Sequence, residues 1–502
     1  MVTSIKCVVW IAASAFVVAA CADQPAVTVY NQNFGLVRER IQLELHEGEN
    51  QLTFSDIAAH VEPDSVILRD PAGKHALRVL EQNYRNDPLT QDLLLSLFEG
   101  KRIEFQIGDK TVPGKIVRSG YVPHRAAWQQ YGQEYMYSQM AYSGSWGGSG
   151  VPIIEIDGAL RFGVPGVPLF PNLADDTVLK PTLEWVLSTD IAGKLDCELS
   201  YVTGGMSWKA DYNVLSASEG DELELVGWVT IDNQCGRTFE NARIKLMAGD
   251  VSKVQERIGG YRRSSYLMSG TADQMQPPVS EKAFDEYHLY TLNRATTLRD
   301  RETKQVEFIR AAGIQSRKAY VYDGVLIDWE RYRGWDPYSL RVNREFGAQA
   351  NSKVWVVCEF ENTEANQLGM PLPAGRMRFY RGDEDGRHEF TGENEIDHTP
   401  KDEAVRVYTG NAFDLRGEHV RTQFEVSNQQ DWLDETFEIK VRNHKDKPVT
   451  VRIMEHLYRW SNWEIVEKTH DFEKRNSQTI EFPIEVPANG ETSVRYKVHY
   501  TW

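Results

Sequence analysis

The best local candidate for metal chemistry in the sequence is the acidic stretch from Arg381 to Glu389. Hard cations are bound by clustered oxygen atoms, so Asp383, Asp385 and Glu389 are candidate metal ligands. The same stretch contains Asp385-Gly386, a pair that commonly joins the two strands of a tight hairpin. Because the spacing lacks the remaining ligands of a full calcium-binding loop, the sequence favours a hairpin turn whose carboxylates face solvent.

A candidate binding loop covers residues 129–150, which consist mostly of Tyr, Gln, Ser, Met and Gly. A segment of this composition cannot bury a continuous core, whereas Tyr and Gly provide the adaptable contact surface that binding loops use. The alternative, an insertion without a partner, also stays open. The candidate binding residues are the aromatic side chains of the loop, namely Tyr131, Tyr135, Tyr137, Tyr142 and Trp146.

Other aromatic residues raise the question of a carbohydrate-binding surface, because an exposed ring can stack on the apolar face of a sugar. Tyr458 and Trp460 lie two residues apart, which is the spacing of one face of a β-strand. This spacing favours packing in a core or between domains. The same expectation applies to Trp185, Trp208, Trp228 and Trp463.

The sequence contains no standard catalytic signature. Neither His46-Glu47 nor His388-Glu389 is followed by the second histidine that the zinc-binding helix of metalloproteases requires. No serine has the flanking glycines of a hydrolase nucleophile elbow, and no glycine-rich stretch ends like a phosphate-binding loop. The sequence therefore predicts no catalytic residue and no cofactor.

The charge balance of the chain excludes one class of partner. Lys and Arg total 56 against 73 Asp and Glu, so the formal net charge is -17. A chain this acidic repels the phosphate backbone, so we expect no nucleic-acid partner. The length corresponds to about three domains, and a hydrophobic content of 41% is typical of a folded globular protein.

Residues 1–22 have the pattern of a signal peptide. Lys6 precedes an almost wholly apolar stretch from Cys7 to Ala20, which is too short for a stable membrane span. Two cleavage sites stay open: either Cys21 becomes a lipid-bearing N-terminus that tethers the protein to a membrane, or cleavage releases a chain that starts at Asp23. We expect an exported protein of the periplasm or outer membrane, or alternatively a secreted one, without a transmembrane span after signal removal.

Beyond this segment, apolar residues recur mainly with a period of two, which predicts β-strands. Residues 41–54 predict a hairpin with one buried face, and residues 92–99 predict a short amphipathic helix that ends at a glycine. The remaining cysteines lie in or beside strand patterns, which favours buried, inert thiols. Three cysteines follow the signal pattern, at positions 197, 235 and 358. An oxidising compartment permits a disulfide between Cys197 and Cys235, and the sequence does not decide whether it forms.

Three later strand patterns end in asparagine, at Asn233, Asn362 and Asn443. Asparagine bonds to nearby backbone and tolerates a positive φ angle, so it can end a strand. A further strand follows each, which predicts hairpins of immunoglobulin-like sandwiches. The predicted fold class is all-β and multi-domain, with β-sandwiches and a small N-terminal β-rich domain that carries one short helix. The predicted division is a signal peptide at 1–22, the β-rich domain at 23–120, a connector at 121–180, a central sandwich at 181–345 and a C-terminal sandwich at 346–502.

Several motifs resemble one protein family. They lie at residues 28–39 (TVYNQNFGLVRE), 201–212 (YVTGGMSWKADY), 227–251, 303–306, 370–376 and 496–502. Together they are similar to the bacterial domain-of-unknown-function 4139 family over most of the chain. The resemblance implies an exported, β-rich protein related to mucoidy-inhibitor-like proteins, and it implies no catalytic residue. The sustained heptads of the mucoidy-inhibitor branch are missing here, which argues against a role in suppressing mucoid polysaccharide.

The sequence thus predicts a non-catalytic binding or assembly protein of the bacterial cell envelope, with an envelope protein or a polysaccharide as partner. A binding protein predicts an exposed aromatic patch. The alternative is a hydrolase of envelope polysaccharide or peptide, which predicts a concave pocket with at least two coupled titratable groups. A structural scaffold, the third option, predicts a uniformly polar surface.

Overall fold

The computed structural model describes residues 16–17, 19–20, 24–86, 90–121, 151–171, 180–218, 220–249, 251, 279–284 and 287–502. These residues form an almost entirely β structure with several separate sheets, which confirms the predicted all-β, multi-domain fold class. The two α-helices of the described residues are α1 (Gln91–Leu97) and α2 (Pro337–Val342).

The strands up to residue 248 are β1 (Phe16–Val17), β2 (Ala19–Ala20), β3 (Ala26–Tyr30), β4 (Phe34–Leu45), β5 (Gly48–Ser55), β6 (Ile67–Arg69), β7 (Leu77–Arg85), β8 (Arg102–Ile107), β9 (Lys110–Arg118), β10 (Ile153–Ile156), β11 (Ala159–Phe162), β12 (Val167–Leu169), β13 (Thr182–Thr189), β14 (Gly193–Gly204), β15 (Met206–Ser216), β16 (Glu222–Asn233) and β17 (Phe239–Ala248).

The later strands are β18 (Val279–Phe284), β19 (Tyr287–Leu292), β20 (Thr296–Leu298), β21 (Glu302–Asp323), β22 (Val325–Leu326), β23 (Gln349–Ala350), β24 (Lys353–Glu361), β25 (Gly375–Gly382), β26 (His388–Ile396), β27 (Ala404–Val426), β28 (Trp432–Asn443), β29 (Val449–His456), β30 (Trp463–Lys468), β31 (Glu473–Lys474), β32 (Thr479–Val486) and β33 (Gly490–Thr501).

The chain divides into two compact units. The first contains Met1–Pro25, Leu36–Gly204 and Gln234–Phe239, and the second contains Ala26–Gly35, Gly205–Asn233 and Glu240–Trp502. The five-part division at residues 22, 120, 180 and 345 stays a prediction.

The first unit contains a small five-stranded sheet in the order β11-β10-β9-β8-β12. Helix α1 places Leu95 in the core of this sheet against Ile103, Phe105 and Ile116, all of them buried. The helix begins where the Thr90 hydroxyl accepts a hydrogen bond from the Leu93 backbone, which caps its first turn. The predicted helix and the β-rich surroundings are therefore confirmed.

The predicted hairpin over residues 41–54 is wrong in its pairing. Both strands exist, but β5 pairs with β13 in one sheet, whereas β4 lies beside β14 in another. The turn itself is closed by Asn50. Its Nδ2 donates to the His46 carbonyl and its Oδ1 accepts from the His46 backbone N–H, both at 2.7 Å. Alternation identifies a buried strand face but does not specify the partner strand, because any apolar sheet face can cover it.

The second unit is dominated by a 13-stranded sheet whose main path runs β26-β25-β15-β16-β21-β24-β27-β28-β33-β30. Strands β29, β31 and β32 attach off this path. Strand β28 is flanked by β27 and β33, and its alternate residues Leu433, Phe437 and Ile439 are buried in a core that also takes side chains from β29 and β32.

The asparagines that follow three strands are confirmed as strand ends, but for a different reason from the one expected. The hairpins predicted there are wrong, because β16, β24 and β28 do not pair with the strands that follow them, β17, β25 and β29. Asn233, Asn362 and Asn443 are all fully buried or nearly so, and none has a positive φ angle. Each instead donates its side-chain amide to two or three carbonyls of neighbouring loops. These residues therefore fix loops to strand ends across the sandwich edges.

The described cysteines are free thiols, and two of the described tryptophans are core residues. Cys197 and Cys235 are buried free thiols, and Cys358 is a free thiol at intermediate depth, so the disulfide left open by the sequence is not formed. Trp185 and Trp208 are buried as expected, whereas Trp228 and Trp463 are half-buried. Among the described residues no helix has the length and apolar character needed to cross a membrane.

Candidate functional site

Two groups of predicted functional residues lie outside the described part of the chain. The first is Cys21 with the signal peptide at 1–22, apart from residues 16–17 and 19–20. The second is the set of loop aromatics Tyr131, Tyr135, Tyr137, Tyr142 and Trp146. Both hypotheses stay predictions.

The acidic stretch forms the hairpin turn that the sequence favoured. Strands β25 and β26 pair up to Gly382 and His388, and Gly386 takes a positive φ of 80° between them. The Asp385 carboxylate accepts a hydrogen bond from the Arg387 backbone at 2.9 Å, which closes the turn locally.

The three carboxylates of the metal hypothesis are all exposed. Asp383 accepts a hydrogen bond from the adjacent Glu384 backbone at 2.8 Å, and Glu389 lies on β26 opposite Arg381. Within the described ranges, no three His, Cys, Asp or Glu side chains are grouped so that they could hold a metal ion. The geometry around Asp383, Asp385 and Glu389 therefore adds no support to a cation site.

The most distinctive surface of the second unit is an excursion of the chain that we call the aromatic segment, residues 327–348. Strands β22 and β23 pair with each other and close its base. Three large aromatic side chains of the segment are exposed: Trp329 by 64%, Trp335 by 46% and Tyr338 by 49%. Exposed aromatic residues at this density are typical of binding surfaces.

A buried arginine holds the aromatic segment in place. Arg459 donates from Nη1 to the carbonyls of Leu340, Arg341 and Asn343 at 3.3, 2.9 and 2.8 Å. Its Nη2 donates to the Phe346 carbonyl at 2.9 Å. One guanidinium thus satisfies four backbone groups at the end of α2 and in the turn that follows, where a helix leaves its last carbonyls unpaired.

The charge of Arg459 is balanced by a fully buried carboxylate. Glu435 Oε1 accepts hydrogen bonds from Arg459 at 2.8 Å and from Arg421 at 2.9 Å, and the Glu435 and Arg459 side chains have no exposed surface. Arg421 also donates to the carbonyls of Arg344 and Phe346 in the segment. Burial lowers the pKa of Arg459, but Glu435 more than offsets this effect and the pKa is raised, so the guanidinium stays charged.

Ring contacts complete the support of the exposed side chains. Phe346 is buried and contacts the rings of Trp329, Tyr332 and Tyr458 edge-on, with centroids 5.1 to 5.9 Å apart. Tyr332 in turn contacts Trp335 at 5.6 Å. Edge-to-face pairs of this kind stabilise a particular ring orientation.

A second aromatic group forms around helix α2. The guanidinium of Arg341 lies 4.8 Å from the ring of Tyr338, 4.4 Å from that of Trp460 and 4.6 Å from that of Trp502. Cation–π contacts with three rings hold the Arg341 side chain and orient Tyr338. Trp460, expected to pack internally, is half-buried in this arrangement.

The sequence reasoning missed the aromatic segment, although two signals mark it. Trp329, Tyr332, Trp335 and Tyr338 recur at every third residue among charged residues, a spacing that suits neither strand nor long helix. The other signal is Glu435, a charged residue in an alternating strand at a position that faces the core. A charge at such a position requires a buried partner.

A small pocket of about 230 Å³ also lies in the second unit, between β15, β16, β21, β24, β25, β26 and β27. Lys318, Cys358, Arg381 and Asp221 are among the residues that line it. Burial raises the pKa of Cys358 to about 11. Burial also lowers the pKa of Lys318, and the Arg381 charge lowers it further. The thiol and the amine influence each other electrostatically.

The fold and the aromatic segment define a class of protein: an all-β, multi-domain chain that presents a supported aromatic surface. The chain belongs to the family described as Domain of unknown function (DUF4139), which matches residues 197–502, more than half of the sequence. The resemblance drawn from the sequence motifs is thereby confirmed. No curated protein matches the chain.

Proposed function

We propose that this protein is a non-catalytic binding or assembly protein of the bacterial cell envelope, and that the aromatic segment is its ligand-binding surface. The observation that carries the proposal is the exposure of Trp329, Trp335 and Tyr338 on a chain segment held by buried Arg459. A polysaccharide suits such a surface, because sugar rings stack their apolar faces on aromatic rings while their hydroxyls stay in water.

The free energy needed to bury the ion pair that holds the aromatic segment supports this proposal. Burying Glu435 with Arg459 requires the desolvation of both charges, and well-packed apolar residues often stabilise a fold as well or better. A buried ion pair that binds four carbonyls of one surface segment fixes the conformation of that segment. A surface that is already ordered loses less conformational entropy when a ligand binds, which increases affinity.

Export and anchoring belong to the same proposal. The signal pattern of residues 1–22 supports export to the periplasm or the outer membrane, with secretion as the alternative. A lipid on Cys21 would tether the chain to a membrane. An envelope protein is the other partner class. Pull-downs with purified polysaccharide and with envelope protein extract distinguish the two classes.

The experiment compares three forms of the protein in pull-downs with purified exopolysaccharide, with cell-wall sacculi and with envelope protein extract. A triple variant, Trp329→Ala, Trp335→Ala and Tyr338→Ala, should bind polysaccharide at least about tenfold more weakly, since truncating an anchoring aromatic typically costs 2 kcal/mol or more. Phe413→Ala is the matched control, because Phe413 is 98% exposed and lies outside the segment. Its binding should equal that of the unmodified protein.

Unchanged polysaccharide binding by the triple variant would contradict the proposal, provided that its thermal unfolding midpoint matches that of the control. Retention of envelope proteins alone would move the partner class from polysaccharide to protein. A deletion of residues 129–150 tests the separate loop hypothesis, and unchanged partners after this deletion would remove it.

One observation favours the competing hydrolase. The pocket contains two titratable groups that interact, Lys318 and Cys358, which is the feature expected of a hydrolase. However, a thiol whose pKa is about 11 is protonated at neutral pH, whereas the thiolate is the nucleophile. The pocket therefore suits binding better than acyl transfer. A Cys358→Ser variant that hydrolyses envelope polysaccharide and peptide no differently from the unmodified protein would agree with this assignment.

A further inference from the structure

We propose that the pocket between β15, β16, β21, β24, β25, β26 and β27 is a binding site for a small organic carboxylate, specifically the carboxylate of an acidic sugar. The proposal is independent of the aromatic segment, because no residue of 327–348 lines the pocket. Three features carry it: the charges, the remaining polar groups and the size.

The charges of the pocket are predominantly positive. Lys318 and Arg381 both line it, and Asp221 is the acidic residue of the lining. In the described part of the chain, the Lys318 ammonium has neither a hydrogen-bond acceptor nor an ion-pair partner. The Arg381 and Lys445 charges oppose that of Lys318, whereas Asp221 favours it. An anion between the two cations would relieve their repulsion.

Arg381 is held so that part of its guanidinium can bind a ligand. Its Nε and Nη2 donate to the Ser218 carbonyl at 3.2 and 2.9 Å. Arginine carries five N–H donors, so donors remain on Nη1 after these two bonds. A guanidinium fixed through one edge and open on the other is well suited to a carboxylate.

The rest of the lining matches a sugar better than an inorganic ion. The lining contains Thr391, Thr409 and Asn411 together with the apolar residues Leu223, Val356 and Phe379. The Thr391 and Thr409 hydroxyls donate to the carbonyls of Phe379 and Val356 at 3.3 and 3.2 Å, so each can still accept a hydrogen bond from a sugar hydroxyl. An inorganic anion would use only the polar groups. A sugar acid presents hydroxyls, one carboxylate and apolar C–H faces, so it can use both kinds of lining.

The size of the pocket limits the ligand. A volume of about 230 Å³ lies below the roughly 300 to 1,000 Å³ that is typical of sites for drug-sized ligands. The site therefore accepts one acidic sugar unit, which can be a free monosaccharide or the end of an acidic polysaccharide.

Isothermal titration calorimetry on the full chain tests the site with four probes: sodium galacturonate, galactose, inorganic phosphate and a galacturonate trimer. We expect binding of galacturonate and no binding of galactose or phosphate. Lys318→Met and Arg381→Met should each weaken galacturonate binding at least tenfold, and Lys353→Met, an exposed lysine on β24, should leave it unchanged. Tighter binding of the trimer than of the monomer identifies a polysaccharide as the source, and equal binding identifies the free sugar acid.

A second measurement does not depend on the folding of variants. The Lys318 ammonium can be followed by NMR after reductive ¹³C-methylation, with the Lys318→Met spectrum as the assignment. Bound carboxylate should raise the pH at which this signal titrates. Absence of that shift, equal binding of galactose, or equal binding by Lys318→Met would each overturn the proposal, and phosphate binding without galacturonate binding would overturn the sugar assignment. The triple variant of the aromatic segment should retain galacturonate affinity, so this site and the proposed polysaccharide surface can fail separately.

Discussion

At the scale of single residues, the second unit buries charges in positions that alternate with apolar side chains. Glu435 shares the inward face of β28 with Leu433 and Phe437, and Arg459 follows Leu457 with the same two-residue spacing. One oxygen of Glu435, Oε2, and the Nε of Arg459 are buried without a hydrogen-bond partner among the described residues. Such unpaired groups lower the stability of a core. The same two residues nevertheless hold the aromatic segment, because Arg459 binds four of its carbonyls.

Replacing Arg459 by Met tests this role. The change leaves Glu435 with Arg421 alone and removes the donors for four carbonyls, so we expect a loss of about 3–5 kcal/mol in the free energy of unfolding, measured by urea denaturation. The aromatic segment should also become sensitive to limited proteolysis. Arg459→Lys should restore little, because an ammonium cannot bridge the same four carbonyls and the carboxylate.

The control for this prediction is Arg317→Met. Arg317 also pairs with a buried carboxylate, Glu359, at 2.6 Å, but its own side chain is 72% exposed. We expect a change below about 1 kcal/mol. If Arg459→Met kept a protease-resistant segment, ring packing around Phe346 would be the main support instead.

At the scale of elements, the buried asparagines show how strand ends and loops are connected. Asn443 donates to the carbonyls of Lys447 and Pro487 at 2.8 and 3.1 Å and accepts from the Lys445 backbone at 2.9 Å. The residue thus joins the β28–β29 turn to the end of β32. Asn362 does the same between β24 and the loops that contain Met370 and Pro400.

Substitutions at Asn443 should follow an order set by hydrogen bonding. Asn443→Ala leaves buried carbonyls without a donor and should cost about 1–3 kcal/mol of unfolding free energy. Asn443→Asp should cost more, because it turns an acceptor toward those carbonyls. Asn394→Ala, at an exposed position of β26, should stay within about 0.5 kcal/mol. Chemical denaturation would measure all three, and an Asp variant as stable as the unmodified chain would refute the order.

At the scale of the whole molecule, stability should depend on pH through two histidines of the second unit. Burial lowers the pKa of His419, but the Glu455 carboxylate, 3.0 Å from its ring, and the charges of Glu435 and Asp323 raise it above the ordinary value. The hydrogen bond to Asp323 likewise raises the pKa of His456. Both rings therefore hold a proton more tightly in the folded chain.

The raised pKa values of His419 and His456 determine how the stability of the folded chain changes with pH. A raised folded pKa contributes stability that is complete below the unfolded value of about 6.5 and is lost as the pH rises through the folded value. The unfolding midpoint of the second unit should therefore fall as the pH rises above 6.5. In His456→Asn the fall should be smaller, and in the exposed-site control His388→Gln it should be unchanged. A midpoint that rises over this range would contradict the prediction.

The sequence by itself determined the all-β class, helix α1, the Asp385-Gly386 hairpin and the family, because each depends on local periodicity, turn chemistry or contiguous motifs. Only the tertiary structure decided that β4 and β5 lie in different sheets, that Asn362 and Asn443 join distant loops, and that Arg459 supports a segment more than a hundred residues earlier in the chain. Those features depend on which elements meet in space. Periodicity shows that a face is buried, but the side chains that cover it come from remote parts of the chain.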